Sequence, residues 1–125
     1  MAGGRPELIR PEWPAPGRVR AVSTTRVGGA SAPPYDGLNL GMNVGDRPAD
    51  VAANRVALIG AACLPGAPGW LEQVHGTAVA DFDAADPAGN RVPPTADAAV
   101  TSRPGRVCVI MTADCVPILI ADSAG

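Results

Sequence analysis

Residues 106–122, RVCVIMTADCVPILIAD, are the most hydrophobic stretch of the chain, and they constrain its fold most strongly. Every side chain of VCVIM (107–111) is apolar. A strand there needs cover on both faces, as in the interior of a sheet. TADC (112–115) interrupts the run, and VPILIA (116–121) resumes it as a second strand. Pro117 falls near the start of that strand, where a missing N–H is tolerated. Two Trp, one Tyr and one Phe are the only aromatic residues, so Val, Leu, Ile and Ala must fill most of the core. The run stops at ADSAG with no partner strand after the turn residues. The sequence therefore reads as part of a longer functional unit.

The remaining segments supply what such a sheet packs against. Residues 1–18 are a Pro-rich segment expected to cross the surface before the domain proper, residues 19–125, begins. VRAVSTT (19–25) alternates Val19, Ala21 and Ser23 with Arg20, Val22 and Thr24, which predicts a strand. Residues 26–46 hold five Gly and two Pro and show no period. An aperiodic loop of this length in a compact domain is usually functional or disordered. Tyr35, Leu38, Leu40 and Met42 act as apolar anchors and imply order. DRPADVAANRVALIGAACL (46–64) predicts a helix, with Asp46 as N-cap, Pro48 in the first turn and Asp50 at the positive end. Val51, Ala52, Val56, Leu58 and Ile59 form its apolar side, and LPGAPG (64–69) ends it. WLEQVHGTAVADFD (70–83) predicts a strand with a bend at Gly76. Alternation sets Trp70, Glu72 and Val74 on one face and Leu71, Gln73 and His75 on the other. Residues 84–95 read as a loop and ADAAVTS (96–102) as a short strand.

Charge and cysteine usage exclude several classes. The net charge is −2 and the ten basic residues, all Arg, are scattered, unlike the basic stripe a phosphate backbone needs. No apolar run approaches the ~20 residues of a membrane span. The N-terminus lacks an apolar segment of secretory length. Three widely spaced cysteines, 63, 108 and 115, with no CxxC pair, point to a reduced cytoplasmic protein rather than a disulfide framework or zinc finger.

His75 is the only histidine, and Cys115 lies forty residues after it. A catalytic zinc takes about three protein ligands and mixes His nitrogen with Cys sulfur, leaving a position open. His75 and Cys115 can share one site if the fold makes their strands neighbours, with Asp114 as an outer partner that holds a ligand. The same convergence would serve a cysteine–histidine nucleophile. The bland alternative is two ordinary residues, a buried thiol and a hydrogen-bonded imidazole. Cys108, inside an apolar strand, and Cys63, at a helix end, read as structural. Arg26 precedes Gly28 and Gly29 and offers an anion site, or simply a solvated turn. Arg55 on the helix can reach a phosphate or pair with a nearby acid. No GxxxxGK[ST] or GxGxxG cradle is present.

Four segments taken in order are specific: STTRVGGASAPPYDGLNLGMNVGD with NR (23–55), WLEQVHG (70–76), ADAAVT (96–101) and TADCVPILIAD (112–122). Together they closely resemble the purine nucleoside phosphorylase family of the YfiH/laccase-domain type, also called multicopper polyphenol oxidase, with a peptidoglycan editing factor branch. The likeness runs from about residue 5 onward. It implies an α+β fold, a mixed-sheet sandwich flanked by helices, of which this sequence would be the N-terminal half. It further implies a cytoplasmic metalloenzyme using zinc, with copper also proposed. The ligands implied are His75 of the QVHG motif, Cys115 of the TADC motif and a histidine in an HAGWRG motif expected beyond residue 125. Arg55 of the NR pair corresponds to a phosphate- or substrate-binding arginine, and Asn39 and Arg26 to pocket-lining residues.

The activity so implied is phosphorolysis of adenosine, inosine, guanosine or methylthioadenosine to base and ribose 1-phosphate, with adenosine deamination beside it. Its partners would be purine nucleosides and phosphate, with neither nucleic acid nor membrane. His75 and Cys115 are the expected catalytic pair. Two alternatives stand beside it: a cysteine hydrolase acting on a cell-wall precursor, and an inactive fragment. A copper laccase fits least, because one histidine cannot furnish the many such reactions use. With two of three ligands, the 125-residue chain alone is expected to hold little metal and turn over little nucleoside.

Overall fold

Helix α1 runs from Pro48 to Ala62 in a computed structural model that describes residues 4–86 and 92–124. Pro48 begins it, as its fixed φ favours. Asp50 lies in the first turn, and Cys63 closes the helix in a left-handed conformation, φ 52° and ψ 48°. The expected cap is corrected. Arg47 occupies the N-cap and makes no side-chain capping bond. The Asp46 carboxylate is drawn instead to the preceding loop, where it accepts from Ser31 Oγ at 2.5 Å and Asn39 Nδ2 at 3.0 Å. The Ser31 hydroxyl first, then the Asn39 amide, hold that carboxyl below its ordinary range.

The buried stripe of α1 is Val51, Asn54 and Leu58, spaced by three and four residues. Val56 and Ile59, expected on the apolar side, are exposed. Val56 lies five residues past Val51, about 140° round the helix from it.

The chain divides into two compact units. One comprises Met1–Cys63 with Leu119–Gly125, and the other Leu64–Ile118.

In the first unit, strand β1 (Leu8–Ile9) pairs antiparallel with β2 (Ser23–Thr24). The Pro-rich segment thus joins a ladder rather than only crossing the surface, and the strand expected over 19–25 is reduced to two residues. Proline-bounded stretches this short carry no readable period. The long loop 26–46 is ordered, as its apolar anchors imply. Leu38 is buried, and Tyr35 donates to the Val44 carbonyl at 2.7 Å, whereas Met42 stays exposed.

Asn54, fully buried, organises that loop. Its Oδ1 accepts from the Ala30 N–H at 2.7 Å, and its Nδ2 faces Ser31 Oγ (2.9 Å), the Asn39 carbonyl (2.8 Å) and the Gly37 carbonyl (3.3 Å). The chain passes so close that a Cβ on Gly29, where φ is +81°, would lie 2.7 Å from Asn54 Oδ1. Only glycine fits there.

In the second unit, β3 (Pro68–Gly69) pairs parallel with β6 (Val107–Cys108), and β4 (Val79–Asp81) pairs parallel with β5 (Ala98–Val100). Antiparallel and parallel ladders thus occur with one helix among the described residues, a small mixed α/β arrangement. The core of this unit is Leu71, Phe82 and Ala96, with Ala80, Ala99 and Ile110 packed around it. Phe82 lies against Gly69 so closely that a Cβ there would meet its ring at 2.2 Å.

Two strand expectations fail. The run 70–83 bends at Gly76 as expected, but the bend, which includes His75, leaves a strand only at 79–81 and an isolated bridge from Glu72 to Thr95. Within 106–122, only Val107–Cys108 is a strand. Residues 116–121 are assigned no strand, and Val116, Ile118 and Ile120 are 82%, 76% and 89% exposed. Apolarity made that segment suitable for a sheet interior, but pairing needs a neighbouring strand, and the described residues place none beside it. The loop expected over 84–95 is irregular where described; residues 87–91 and 1–3 lie outside the described residues.

Asp83 anchors the chain after β5. Ser102 Oγ donates to it, as do Thr101 Oγ1 at 2.7 Å and the Ser102 N–H at 2.8 Å. These bonds, the Ser102 hydroxyl foremost, hold the Asp83 carboxyl down to about 2, against 3.8 for an unperturbed aspartate. A carboxylate lowered in the folded state stabilises it above the unfolded value and ceases to as pH falls through the folded one. The urea midpoint of the wild type is therefore expected to drop between about pH 4 and about pH 2. Asp83→Asn should flatten that part of the profile; an unchanged slope would refute the role given to Asp83.

Candidate functional site

His75 stands at a turn and not on a strand. Leu71 is buried and Gln73 half-buried while Glu72 and Val74 are exposed, so the expected alternation holds over these four residues. At His75 the alternation ends. Its φ is +61°, a left-handed conformation that a non-glycine residue rarely takes, and the residue is exposed. Three consecutive N–H groups define the turn, and one carboxylate receives them all. Val74 N–H and Gly76 N–H reach Asp97 Oδ1 at 3.0 and 2.9 Å, and His75 N–H reaches Asp97 Oδ2 at 2.8 Å. Those bonds, Gly76 first and Val74 next, hold the Asp97 carboxyl below its ordinary range.

Gln73 makes the second tie. Its Nε2 donates to the Met111 carbonyl at 2.8 Å, and its Oε1 accepts the Met111 N–H at 2.8 Å. The side chain thus does for Met111 what a paired strand would do. The consequence is local: the segment ending in His75 is bonded to the segment that reaches Cys115 four residues later. Cys115 and Asp114 are exposed, with Cys115 a free thiol.

Cys108, expected to be buried in a strand, lies at the surface, though partial burial and the nearby Asp83 charge push its thiol up. Cys63 caps α1, as its reading at a helix end implies.

The other candidate residues lie in the first unit. Arg55 donates Nε and Nη2 to the Leu40 carbonyl at 2.9 and 2.8 Å, and burial lowers its pKa. Asn39 bonds to Asp46 and receives the Gly41 N–H at 3.1 Å. Arg26 spans the Asp36 carbonyl with Nε and Nη2, at 3.2 and 2.9 Å, and its side chain is 76% exposed. Asn39 and Arg55 thus meet at the Asn39–Leu40 stretch of one loop, and Arg26 is bonded to the residues just before it, its side chain at Asp36 and its carbonyl at Gly37 and Leu38.

Imidazole and thiolate are the donor kinds that zinc accepts together. His75 and Cys115 are therefore of the two kinds that a zinc site combines. Among the described residues no group of three or more His, Cys, Asp or Glu side chains is arranged to hold a metal. No helix there is long and apolar enough to cross a membrane.

Sequence reasoning missed Gln73 and Asp97. Both act on backbone atoms, which leaves no ligand-like spacing. The available signals were the placement of Gln73 on one face with Leu71, and an aspartate at the entry to a strand, where it commonly accepts backbone N–H groups.

A family model described as multi-copper polyphenol oxidoreductase laccase matches residues 20–125. The chain is 50% identical over 119 residues to the purine nucleoside phosphorylase YfiH of Escherichia coli (strain K12), covering 95% of this chain and 47% of that protein. A Pseudomonas aeruginosa purine nucleoside phosphorylase is 50% identical over 117 residues, covering 94% and 45%. A crystal structure of a Neisseria meningitidis protein, described under the family DUF152, is similar with a TM-score of 0.75 and 42% identity, covering 86% of this chain and 42% of that one. The chain spans about half the length of the curated relatives it matches.

Proposed function

The chain belongs to the multi-copper polyphenol oxidoreductase laccase family, and on that premise we propose that it carries part of the active site of a purine nucleoside phosphorylase, with His75 and Cys115 as its reactive pair. The observation that carries this reading is the Gln73–Met111 tie, which joins the His75 and Cys115 segments. The names of the relatives support the reaction class. On this reading the three short ladders belong to a mixed-sheet sandwich flanked by helices, and the protein is cytoplasmic.

In phosphorolysis a phosphate oxygen bonds to the anomeric carbon and the glycosidic bond breaks. Its electron pair leaves with the base, which takes up a proton, and ribose 1-phosphate remains, or its 5-methylthio derivative where the substrate is methylthioadenosine. Inosine, guanosine, adenosine and methylthioadenosine are the proposed substrates, with adenosine deamination as a second activity. His75 and Cys115 would hold zinc, with copper the alternative, and a third donor would be a histidine from outside residues 1–125. When bound, zinc supplies a Lewis acid and a water acidified toward neutral pH. Arg55, held by the Leu40 carbonyl, is the proposed phosphate cation, with Arg26 and Asn39 as pocket residues. An arginine so fixed loses less freedom on meeting an anion.

The test is a chimaera in which this chain replaces the matching part of the Escherichia coli relative. Hypoxanthine release from inosine is expected to require phosphate, and to fall at least about 100-fold in His75→Ala and Cys115→Ser. Phosphate-independent release, or full activity in both variants, would overturn the assignment. The 125-residue chain alone should bind zinc weakly and release little base. Stoichiometric zinc with full turnover would sink the two-ligand reading.

A further inference from the structure

We propose that Asp97 is the positioning residue that sets the direction of the His75 imidazole, an inference that rests on reading His75 as a ligand. Three consecutive N–H groups, those of Val74, His75 and Gly76, converge on its two oxygens. Between them sits His75 at φ +61°. A left-handed backbone disfavours every side chain with a Cβ, so it persists only where surrounding bonds hold it. The Cα–Cβ direction follows from the backbone. A relaxed, extended His75 would send its ring another way.

Asp97 is itself firmly placed. Its own N–H bonds to the Ala78 carbonyl at 3.2 Å. Ala96 before it is buried in the core and donates to the Glu72 carbonyl at 3.1 Å. Ala98 after it begins β5, paired with β4. The carboxylate therefore projects from a ladder and gathers the His75 turn onto it. Asparagine in its place has one acceptor oxygen and an amide that opposes the third N–H. Glutamate keeps both oxygens and the charge but sets them one methylene farther out.

His75 is the only histidine, so its ring gives a single, unambiguous set of imidazole resonances. The experiment uses the 125-residue chain, uniformly labelled, as wild type, Asp97→Asn and Asp97→Glu. Three quantities are followed: amide exchange at Val74, His75 and Gly76, amide exchange in β4 and β5, and the imidazole shifts during titration with zinc chloride. In Asp97→Asn, exchange at 74–76 is expected to accelerate while β4 and β5 keep their protection. Zinc affinity read at the imidazole should fall about tenfold or more, as for loss of an outer partner of a ligand. Asp97→Glu should recover part of both effects, and it carries the test if the asparagine variant does not fold. Unchanged exchange at 74–76 would overturn the proposal, as would equal loss of protection in the ladders, which marks a general structural role. Because the chain alone is expected to bind zinc weakly, the titration runs to a large excess of zinc chloride, and a wild-type imidazole indifferent even there would refute the ligand reading alone, since the exchange data judge Asp97 without metal.

Discussion

Asn54→Ala is expected to destabilise the first unit by about 3–5 kcal/mol, measured as a shift in the urea midpoint at constant slope. The magnitude follows from what the substitution abandons. The Ala30 N–H loses its acceptor, and the Asn39 and Gly37 carbonyls and the Ser31 hydroxyl lose their shared donor, around a side chain with no exposure. Each buried polar group left without a partner costs about 1–3 kcal/mol. Asn54→Asp gives a sharper signature. The carboxylate still accepts from Ala30 but sets negative charge against two carbonyl oxygens. Its pKa should rise on folding, so the variant is most stable when protonated and loses stability as pH climbs above about 4. An Asn54→Asp protein whose stability instead increased with pH over that range would contradict this account of the loop.

Phe82→Ala should cost the second unit about 3–5 kcal/mol, the usual loss for a large aromatic deleted from a core. Phe82 is 1% exposed and central to the cluster with Leu71 and Ala96. The more specific expectation concerns its neighbour. In the wild type, Gly69→Ala forces a methyl to within 2.2 Å of the Phe82 ring and should be destabilising. Once Phe82 is alanine, that methyl enters the vacated space and the cost should largely vanish. A double-mutant cycle is therefore expected to show coupling of about 1–3 kcal/mol. Additive effects would mean that Gly69 is required for its backbone and not for the ring beside it.

The parts of this protein legible from sequence were those governed by local chemistry. Pro48 and Asp50 marked the start of α1, and the apolar residues of loop 26–46 signalled order. His75 and Cys115 stood out by residue type. What stayed hidden depended on partners distant in the chain. Asp46 has the composition of a helix cap, yet Ser31 and Asn39 compete for its oxygens and win. Asn54 sits mid-helix with no local sign of burial, and only the loop 26–46 folded over it shows its role. The VPILIA run has a strand's composition, but composition cannot supply the neighbour a strand needs. Alternation carried Leu71 and Gln73 to their observed sides and failed at His75, where a carboxylate 22 residues away dictates the backbone. The two ligand candidates were thus visible as chemistry, while the groups that aim them were not.

The amide of Gln73 has one more consequence. Because it fixes both the N–H and the carbonyl of Met111, that residue serves as a datum from which the chain is measured out to the thiol. Only Thr112, Ala113 and Asp114 intervene before Cys115. The reach from datum to sulfur is therefore a matter of residue count. A single residue gained or lost between Met111 and Cys115 would shift the thiol relative to that datum.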